Sequence, residues 1–449
     1  MRLIINKNLS QHILQIAGPA IAGQSSQMIV SIISTAMVGR LANAHVQLAA
    51  MGLGFLGTMA LTSFFSSLST GTHVLVARRQ GENNPGGVGE VLLNSLFIAL
   101  VVGTIFGAVG YLLSYDIMDF FSANVEVTKV GADYMKYQFL GLPFFLLIIS
   151  YRGFFFGIGH TKIFMISAII INVFNIIFNY LFMFGAFGFP KMELAGAGIG
   201  YTISMMLGWL FFLSVTFLGI YRKQYKYYSN IHIMKEVVYQ IIKISFPVSL
   251  QNILILLGFL VFVAITGIIG TIEQAASNVV ITALFLSIMP CMGFGIASQT
   301  LVGQSLGKGS QRLAQAYGYE SAKLATIFTI LIGILFVFFP EPVISVITNE
   351  RLVINSAKPI LQIAGVAQIF YGSGIIFASA LQAAGATVYV MFIEIITHWI
   401  IFLPLTYVIG ISFNLGIIGA WLALPVYIIA YTILTYLKFR SMNWLQIKI

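Results

Sequence analysis

The stretch Val76-Ala77-Arg78-Arg79-Gln80-Gly81 decides the fold, because it returns as Val302-Gly303-Gln304-Ser305-Leu306-Gly307 in the second half of the chain. Three other stretches are repeated in the same way: 16–19 returns as 244–247, 159–161 as 385–387, and 194–198 as 415–419. All pairs are separated by about 220–228 positions. An apolar pattern written twice predicts two similar lobes, an arrangement typical of transporters that work by alternating access.

The composition predicts an all-α membrane protein. Hydrophobic residues make up 59% of the 449 residues and charged residues only 8%, which soluble domains do not show. Crossing the hydrocarbon core takes about 20 mostly apolar residues in a helix. Twelve stretches qualify, and we expect six in each lobe. They are 10–38, 48–76, 88–113, 133–157, 161–184, 195–221, 238–269, 275–305, 316–339, 359–384, 387–410 and 416–440.

The distribution of Lys and Arg predicts the orientation in the membrane. With a cytoplasmic N-terminus, 17 of the 23 basic residues fall on the cytoplasmic side, so both termini are expected there. A basic segment, 221–243, joins an N-terminal lobe (1–220) to a C-terminal lobe (244–449), and we interpret it as an interfacial helix. The net charge of +10 then reflects topology and contact with anionic membrane lipids, and it does not indicate nucleic-acid binding. A bacterial inner membrane is the expected location.

The motifs that would indicate an enzyme are missing from the sequence. There is no GxxxxGK[ST] phosphate-binding loop and no HExxH pair, so neither an ATP-driven pump nor a zinc hydrolase is expected. The single cysteine, Cys291, lies within a predicted span and has no disulfide partner in the chain. We expect no enzymatic activity, no cofactor and no metal site, and a possible coupling ion is limited to Na⁺ or H⁺.

Polar side chains inside predicted spans are the best candidates for a functional site, because each is costly in lipid and tends to face the bundle interior. Three groups stand at helical spacing: Gln24, Gln27, Ser31 and Ser34 on span 1, Asn172, Asn175 and Asn179 on span 5, and Glu394 and His398 on span 11. Of the 13 acidic residues, Glu394 is the only one expected deep in a span, and the other twelve fall in loops or at helix ends. Each group also has a purely structural interpretation. Serine, glutamine and asparagine stripes can hold helices together by hydrogen bonds, and a lone glutamate can lie protonated against a carbonyl group.

Several ordered motifs resemble those of the multidrug and toxic compound extrusion (MATE) transporters, over essentially the whole chain. In the first half they are Pro19, Ser34–Gly39, Val76–Gly81 and Leu194–Gly198. In the second half they are Pro247, Ala297–Gly307 and Leu381–Gly385. The resemblance implies twelve helices in two six-helix lobes and export of organic, often cationic, compounds against a proton or sodium gradient.

The sequence departs from this family's pattern where the family carries acidic residues. Ser34 stands where an aspartate is usual, and Asn175 is followed by Asn179 rather than by an aspartate. Thr202 on span 6 matches the family. On spans 7 and 10 the acidic residues of one branch are replaced by Ile255, Phe259 and, near that position, Tyr371. The resemblance therefore implies an ion and substrate site at Gln27, Ser34, Asn172, Asn175, Asn179 and Thr202 that keeps its shape but lacks carboxylates.

Loss of both carboxylates removes the usual coupling device. Asparagine and serine offer only neutral oxygens, which can bind sodium weakly but cannot take up a proton. Burial disfavours the charged forms of both a carboxylate and an imidazole, so neighbouring Glu394 and His398 could exchange a proton instead. We therefore expect either proton coupling through Glu394 and His398, or a weakly coupled or facilitative transporter.

Three functions compete at this point. The first is ion-coupled export of a small organic substrate, by a chain that can work as a monomer. The second is a flippase for lipid-linked or polyprenyl substrates, against which twelve spans and the lack of a basic cluster count. The third is a membrane protein that transports nothing, against which the absence of a sizeable soluble region counts. The charge of the substrate stays open, since the missing acids also make neutral or anionic cargo credible.

Overall fold

The computed structural model describes residues 6–217, 219–227 and 232–447, and within them the regular structure is helical. The helices are α1 (Lys7–Val38), α2 (Ala44–Ser66), α3 (Leu68–Gly81), α4 (Pro85–Phe121), α5 (Val125–Leu140), α6 (Leu142–Gly157), α7 (Thr161–Phe184), α8 (Glu193–Phe217), α9 (Ile220–Tyr225), α10 (Lys235–Ile269), α11 (Thr271–Gly307), α12 (Gln311–Phe338), α13 (Pro340–Ser345), α14 (Arg351–Ala383), α15 (Thr387–Glu394), α16 (Leu403–Tyr407) and α17 (Gly416–Arg440). Short 3₁₀ turns cover Ala186–Gly188 and Asn443–Gln446.

Among the described residues, eleven helical stretches are long and apolar enough to cross a membrane. One of them, Ala44–Gly81, combines α2 and α3. A twelfth span is the pair α5 and α6, which meet at an angle of 46° around Gly141. The predicted all-α architecture with twelve spans is confirmed, and the chain is an integral membrane protein.

The chain divides into two compact units. The N-terminal unit is Ala22–Ser249, and the C-terminal unit combines Met1–Ile21 with Leu250–Ile449. Helix α1 therefore contributes its first half to one unit and its second half to the other, with Pro19 near the division. The lobe boundaries expected from the sequence, 1–220 and 244–449, stay a prediction beside this observed division.

Small residues let the helices of the N-terminal unit approach closely. A Cβ atom added at Gly153 of α6 would lie 2.6 Å from the backbone oxygen of Ser69 on α3, so only glycine allows this contact. Aromatic rings fill the space behind it. Tyr151 and Phe155 both stack on Phe212 of α8, with ring centroids 5.4 and 5.6 Å apart. This packing holds α3, α6 and α8 as one body around the polar residues described below.

Glycines also allow close contacts between helices in the C-terminal unit. At the crossing of α12 and α14, a Cβ atom added at Gly333 would lie 2.6 Å from the backbone oxygen of Gly365. A buried aromatic cluster closes the other side, where Phe262 of α10 packs against Phe402 and Trp421. The indole nitrogen of Trp421 donates to Ser277 Oγ over 3.0 Å, so this buried polar group is satisfied.

The segment between the lobes is described except for residues 228–231, on which part of the predicted linker falls. Helix α9 precedes the gap, and α10 begins at Lys235 after it. Tyr225 and Tyr227 are buried rather than interfacial. Burial raises the pKa of Tyr225 to about 12, so its hydroxyl stays protonated and donates to Gln80 Oε1. The linker is thus packed onto the N-terminal unit by its aromatic side chains.

Candidate functional site

Helices α1 and α7 bring the predicted serine and asparagine stripes together in the N-terminal unit. Asn179 donates through Nδ2 to Asn175 Oδ1 over 3.1 Å and to Ser34 Oγ over 3.2 Å. Two turns away, Asn172 Nδ2 donates to Ser26 Oγ over 2.7 Å. Asn175 and Asn179 are buried, whereas Asn172 is half-buried. The spacing of four residues on α7 produces this arrangement, since such residues share a helix face.

One oxygen of this cluster has no partner. Asn179 Oδ1 is buried and accepts no hydrogen bond from the described residues. It points at Gly200 of α8, where an added Cβ atom would lie closer to this oxygen than any real contact allows. Buried polar atoms are normally satisfied, so this unpaired oxygen is unusual. The lack of a side chain at Gly200 lets α8 approach it closely.

The structure places two predicted site residues apart from this oxygen. The Thr202 hydroxyl donates to the backbone oxygen of Tyr137, next to the break between α5 and α6. Gln27 is exposed on α1, and it is Ser26, one residue earlier, that meets Asn172. Ser26 and Gln27 point in directions about 100° apart around the helix. The sequence alone did not show which of these two directions faces α7.

The second cluster lies in the C-terminal unit around Glu394. Its Oε1 atom accepts a hydrogen bond from the Tyr427 hydroxyl of α17 over 2.8 Å and lies 3.3 Å from His398 Nδ1. The Glu394 and His398 side chains are each only 4% exposed. No Lys or Arg among the described residues forms an ion pair with Glu394. The side-chain partners of this buried carboxyl in the described structure are thus a phenol and an imidazole rather than a permanent cation, which is an unusual setting for an acidic group within a membrane span.

The backbone at this cluster is not an ordinary α-helix. Residues Ile395–Phe402, which include His398, form a π-helix, a rare conformation that is often found at functional sites. The Trp399 indole nitrogen donates to the backbone oxygen of Leu254 over 3.1 Å and ties the segment to α10. Gly258 also lies on α10, and a Cβ atom added there would lie 2.5 Å from His398 Nε2. This nitrogen is buried and has no hydrogen-bond partner among the described residues.

Two participants were not predicted from the sequence. Tyr427 has no signal of its own, because it lies on a different helix and one tyrosine among 20 is not conspicuous. Glu320, on α12, is as buried as Glu394, although only Glu394 was expected deep in a span. Glu320 differs in having a permanent partner, Lys323, at 2.9 Å, and it also accepts from the Ser10 hydroxyl over 2.9 Å. The Glu-x-x-Lys spacing was the available signal for this pair.

The C-terminal cluster therefore combines a carboxyl, an imidazole and a phenol, whereas the N-terminal cluster offers only amides and hydroxyls. No set of three or more His, Cys, Asp or Glu side chains that could hold a metal ion occurs in the described parts of the chain. Both clusters lie in helices long enough to cross a membrane. The side chains of Asn175, Asn179, Glu394 and His398 are buried within the protein there.

Comparison with known proteins links both halves of the chain to one family. The MatE family model matches residues 19–181 and again residues 247–408. A curated relative, the probable multidrug resistance protein NorM of Thermotoga maritima, is 28% identical over 97% of this chain and 93% of its own length. The probable multidrug resistance protein YoeA of Bacillus subtilis is 24% identical over 81% of this chain and 79% of its own.

Solved structures show the same fold. An outward-facing multidrug resistance transporter of the MATE family superposes with a TM-score of 0.89, at 19% identity, over 98% of this chain and 97% of the other. A MOP superfamily transporter from Pyrococcus furiosus superposes with a TM-score of 0.88, at 18% identity, over 99% of this chain and 100% of the other. At this identity the likeness concerns the fold and not the side chains of the two clusters.

Proposed function

The chain belongs to the MatE family of membrane transporters, and from this premise we propose that it exports small organic compounds by alternating access. We further propose that Glu394, with His398 and Tyr427, carries the coupling proton in place of the carboxylates that are absent from α1 and α7. The chain works as a monomer, surrounded by lipid, in a bacterial inner membrane with both termini cytoplasmic.

The observation that carries the coupling proposal is the set of partners around Glu394. Tyr427 donates to the carboxylate when it is ionised, and His398 lies within reach of the same oxygen. When Glu394 is protonated, its own hydrogen can be donated to His398 Nδ1 instead. Both protonation states therefore keep hydrogen bonds within the site, and neither is held permanently by a cation.

The export cycle follows from a difference in affinity between two conformations. A proton that binds more tightly to one conformation shifts the population toward it, and release on the other side returns the protein. Cargo that binds more tightly to the deprotonated conformation is then exchanged for the proton. In this scheme, the lack of a side chain at Gly258 leaves the space that the His398 ring occupies, and its Nε2 atom is buried without a hydrogen-bond partner among the described residues.

Neutral oxygens support a more limited role for the N-terminal cluster. Asn175, Asn179 and Thr202 can bind a polar group or a weakly held sodium ion, but they cannot accept a proton at neutral pH. We therefore assign Ser34, Asn172, Asn175 and Asn179 to substrate binding. Gln27 and Thr202, which lie apart from this cluster in the same unit, remain further candidates for contact with the substrate.

The experiment uses the full chain in proteoliposomes, with proton and sodium gradients imposed separately. The probes are tetraphenylphosphonium, an organic cation, and carboxyfluorescein, an organic anion. We expect a proton gradient to accelerate transport of at least one probe, and Glu394→Gln to reduce this acceleration by about tenfold or more.

The matched control is Glu320→Gln, which removes an equally buried carboxylate from the same unit. Because Glu320 is held by Lys323, its loss should leave the response to the proton gradient unchanged. Unaltered proton-driven transport in Glu394→Gln would overturn the coupling proposal. Acceleration by sodium alone would transfer the coupling role to Asn175, Asn179 and Thr202.

A further inference from the structure

Helix α6 carries an arginine that the mechanism above does not use. Arg152 is partly buried within the second half of the bent span α5–α6. Its Nε atom lies 3.4 Å from Ser69 Oγ of α3, and none of its other guanidinium atoms has a hydrogen-bond partner among the described residues. A guanidinium group has five N–H donors, so most of its binding capacity is unused.

The orientation of Arg152 follows from the residues that share its face of α6. Phe156, one turn further on, packs against His73 of α3 and against Phe164 of α7, with centroid distances of 5.8 and 4.9 Å. Residues four positions apart project on the same side of a helix. Arg152 thus points toward the space between α3, α6 and α7, which is interior to the N-terminal unit.

That interior also holds the asparagine cluster. Phe164, which contacts Phe156, stands eleven residues before Asn175 on α7, and this spacing returns to within about 20° of the same helix face. The separation of Phe164 and Asn175 along the helix is about 16 Å. The interior of the unit therefore has a cationic end at Arg152 and a neutral, hydrogen-bonding end at Asn172, Asn175 and Asn179.

No carboxylate neutralises the arginine. Arg152 forms no ion pair in the described structure, and none of the Asp and Glu side chains of the N-terminal unit is buried. Taking part of a charged group out of water without a counter-charge is destabilising, so such a group is kept where something else compensates it. A planar guanidinium fork matches the geometry of a carboxylate or a phosphate, which it can bind through two parallel hydrogen bonds.

We propose that Arg152, assisted by Ser69, binds an anionic carboxylate or phosphate group on the transported compound. This deepens the proposed function, on which it rests, by naming the substrate class: organic anions, or zwitterions whose anionic group is held here. The asparagine cluster then contacts the uncharged part of the cargo. Arg152 is a binding residue in this scheme and takes no part in proton transfer.

The first measurement is equilibrium binding of carboxyfluorescein to the full-length protein in detergent, followed by fluorescence polarisation without any gradient. We expect Arg152→Gln to weaken binding by about tenfold or more, since a charge-assisted pair is lost. Arg152→Lys keeps the charge but loses the fork, so it should retain part of the affinity. Lys162→Gln, which removes an exposed positive charge from the same unit, is the control and should bind normally.

Folding of each variant is checked by size exclusion and circular dichroism, and Ser69→Ala serves as the second variant if Arg152→Gln does not fold. Ser69→Ala should weaken binding by a smaller factor than Arg152→Gln. Equal carboxyfluorescein affinity in wild type and the folded variants would overturn the proposal. Binding of tetraphenylphosphonium with no binding of carboxyfluorescein by the wild type would overturn it as well.

Two further measurements are needed. One distinguishes a cargo anion from a lipid headgroup, and the other tests the Arg152 proposal separately from the Glu394 proposal. If phosphatidylglycerol binds in an Arg152-dependent way while carboxyfluorescein does not, the arginine holds a lipid headgroup and the cargo proposal is wrong. Binding in detergent requires no proton gradient, so it tests Arg152 independently of Glu394. Carboxyfluorescein affinity that does not depend on Arg152, together with proton-driven transport that is lost in Glu394→Gln, would reject only the anion site. Arg152-dependent binding together with unaltered proton-driven transport in Glu394→Gln would reject only the coupling site.

Discussion

The C-terminal unit holds both buried carboxylates of the described chain, Glu320 and Glu394, whereas the acidic side chains of the N-terminal unit are all at least partly exposed. In their place the N-terminal unit has a cluster of neutral amides and hydroxyls and an unpaired arginine, Arg152. Two units of similar architecture thus provide opposite electrostatic environments. The difference indicates that a duplicated fold can carry different chemistry in its two halves, which is why we propose proton exchange in one unit and cargo binding in the other.

The largest expected effect comes from moving the carboxylates between the units. In a Glu394→Gln background, Ser34→Asp combined with Asn179→Asp places acids where Asn179 now meets Ser34. We expect proton-driven transport in proteoliposomes to recover by about tenfold over the background, because a titratable pair is restored. Ser31→Asp, exposed on the same helix, is the control and should restore nothing. Equal recovery in both would show that any added acid suffices.

A smaller effect is expected at the phenol that supports Glu394. Tyr427→Phe keeps the ring but removes the hydrogen bond to Oε1, which stabilises the ionised carboxylate. A hydrogen bond to a charged group is worth about 1.5–3 kcal/mol, so the midpoint of the pH–transport profile should rise by about one unit or more. Tyr407→Phe, an exposed tyrosine, should leave the profile in place. An unchanged midpoint in Tyr427→Phe would separate this tyrosine from coupling.

The close approach beside Asn179 gives a prediction about stability in the N-terminal unit. In Gly200→Ala the new methyl group would collide with Asn179 Oδ1 and lie 2.9 Å from the Asn179 backbone nitrogen, so α7 and α8 must separate. Overpacking of this kind costs about 1–3 kcal/mol, which should lower the thermal unfolding temperature in detergent. Gly52→Ala, with no atom within 4 Å of the added methyl group, should be neutral. A neutral Gly200→Ala would mean that the cluster tolerates rearrangement.

The smallest effect is expected at an exposed carboxylate of the C-terminal unit, Glu341. A hydrogen bond from Lys358, at 2.7 Å, and the nearby charge of Arg351 lower the pKa of Glu341. A lowered pKa in the folded state means that the stabilisation is present above the unfolded-state pKa and is lost as the pH falls through the folded-state value. Glu341→Gln should slightly lower the unfolding temperature at pH 7 and leave it unchanged in strong acid. A difference that persists in acid would point to packing rather than charge.

Much of the architecture could be predicted because membranes impose simple rules on sequences. The doubled pattern and twelve apolar stretches predicted an all-α transporter, and both the fold and the family are confirmed. The choice of a transporter over an enzyme is confirmed by the family as well. Helical spacing also predicted that Asn175 and Asn179 would share a face, since that depends only on the geometry of one helix.

Features that depend on contacts between helices could not be predicted in the same way. Nothing in one linear sequence pairs Tyr427 with Glu394 across 33 positions, or turns Arg152 toward α3 and α7. No sequence pattern described above predicts the π-helical segment that follows Glu394. Glu320 was missed because an acid nine residues into α12 was taken to lie at a helix end, whereas packing against the start of α1 buries it.

Cys291 lies buried in α11 and is the sole thiol in the chain. A single substitution therefore yields a cysteine-free background, into which reporter thiols can be introduced in pairs. Spin labels placed on exposed positions of the two units would then report distances that change during the transport cycle. Acid and carboxyfluorescein can be added separately to such labelled protein. The distances between the labels would then show which of the two additions changes the conformation.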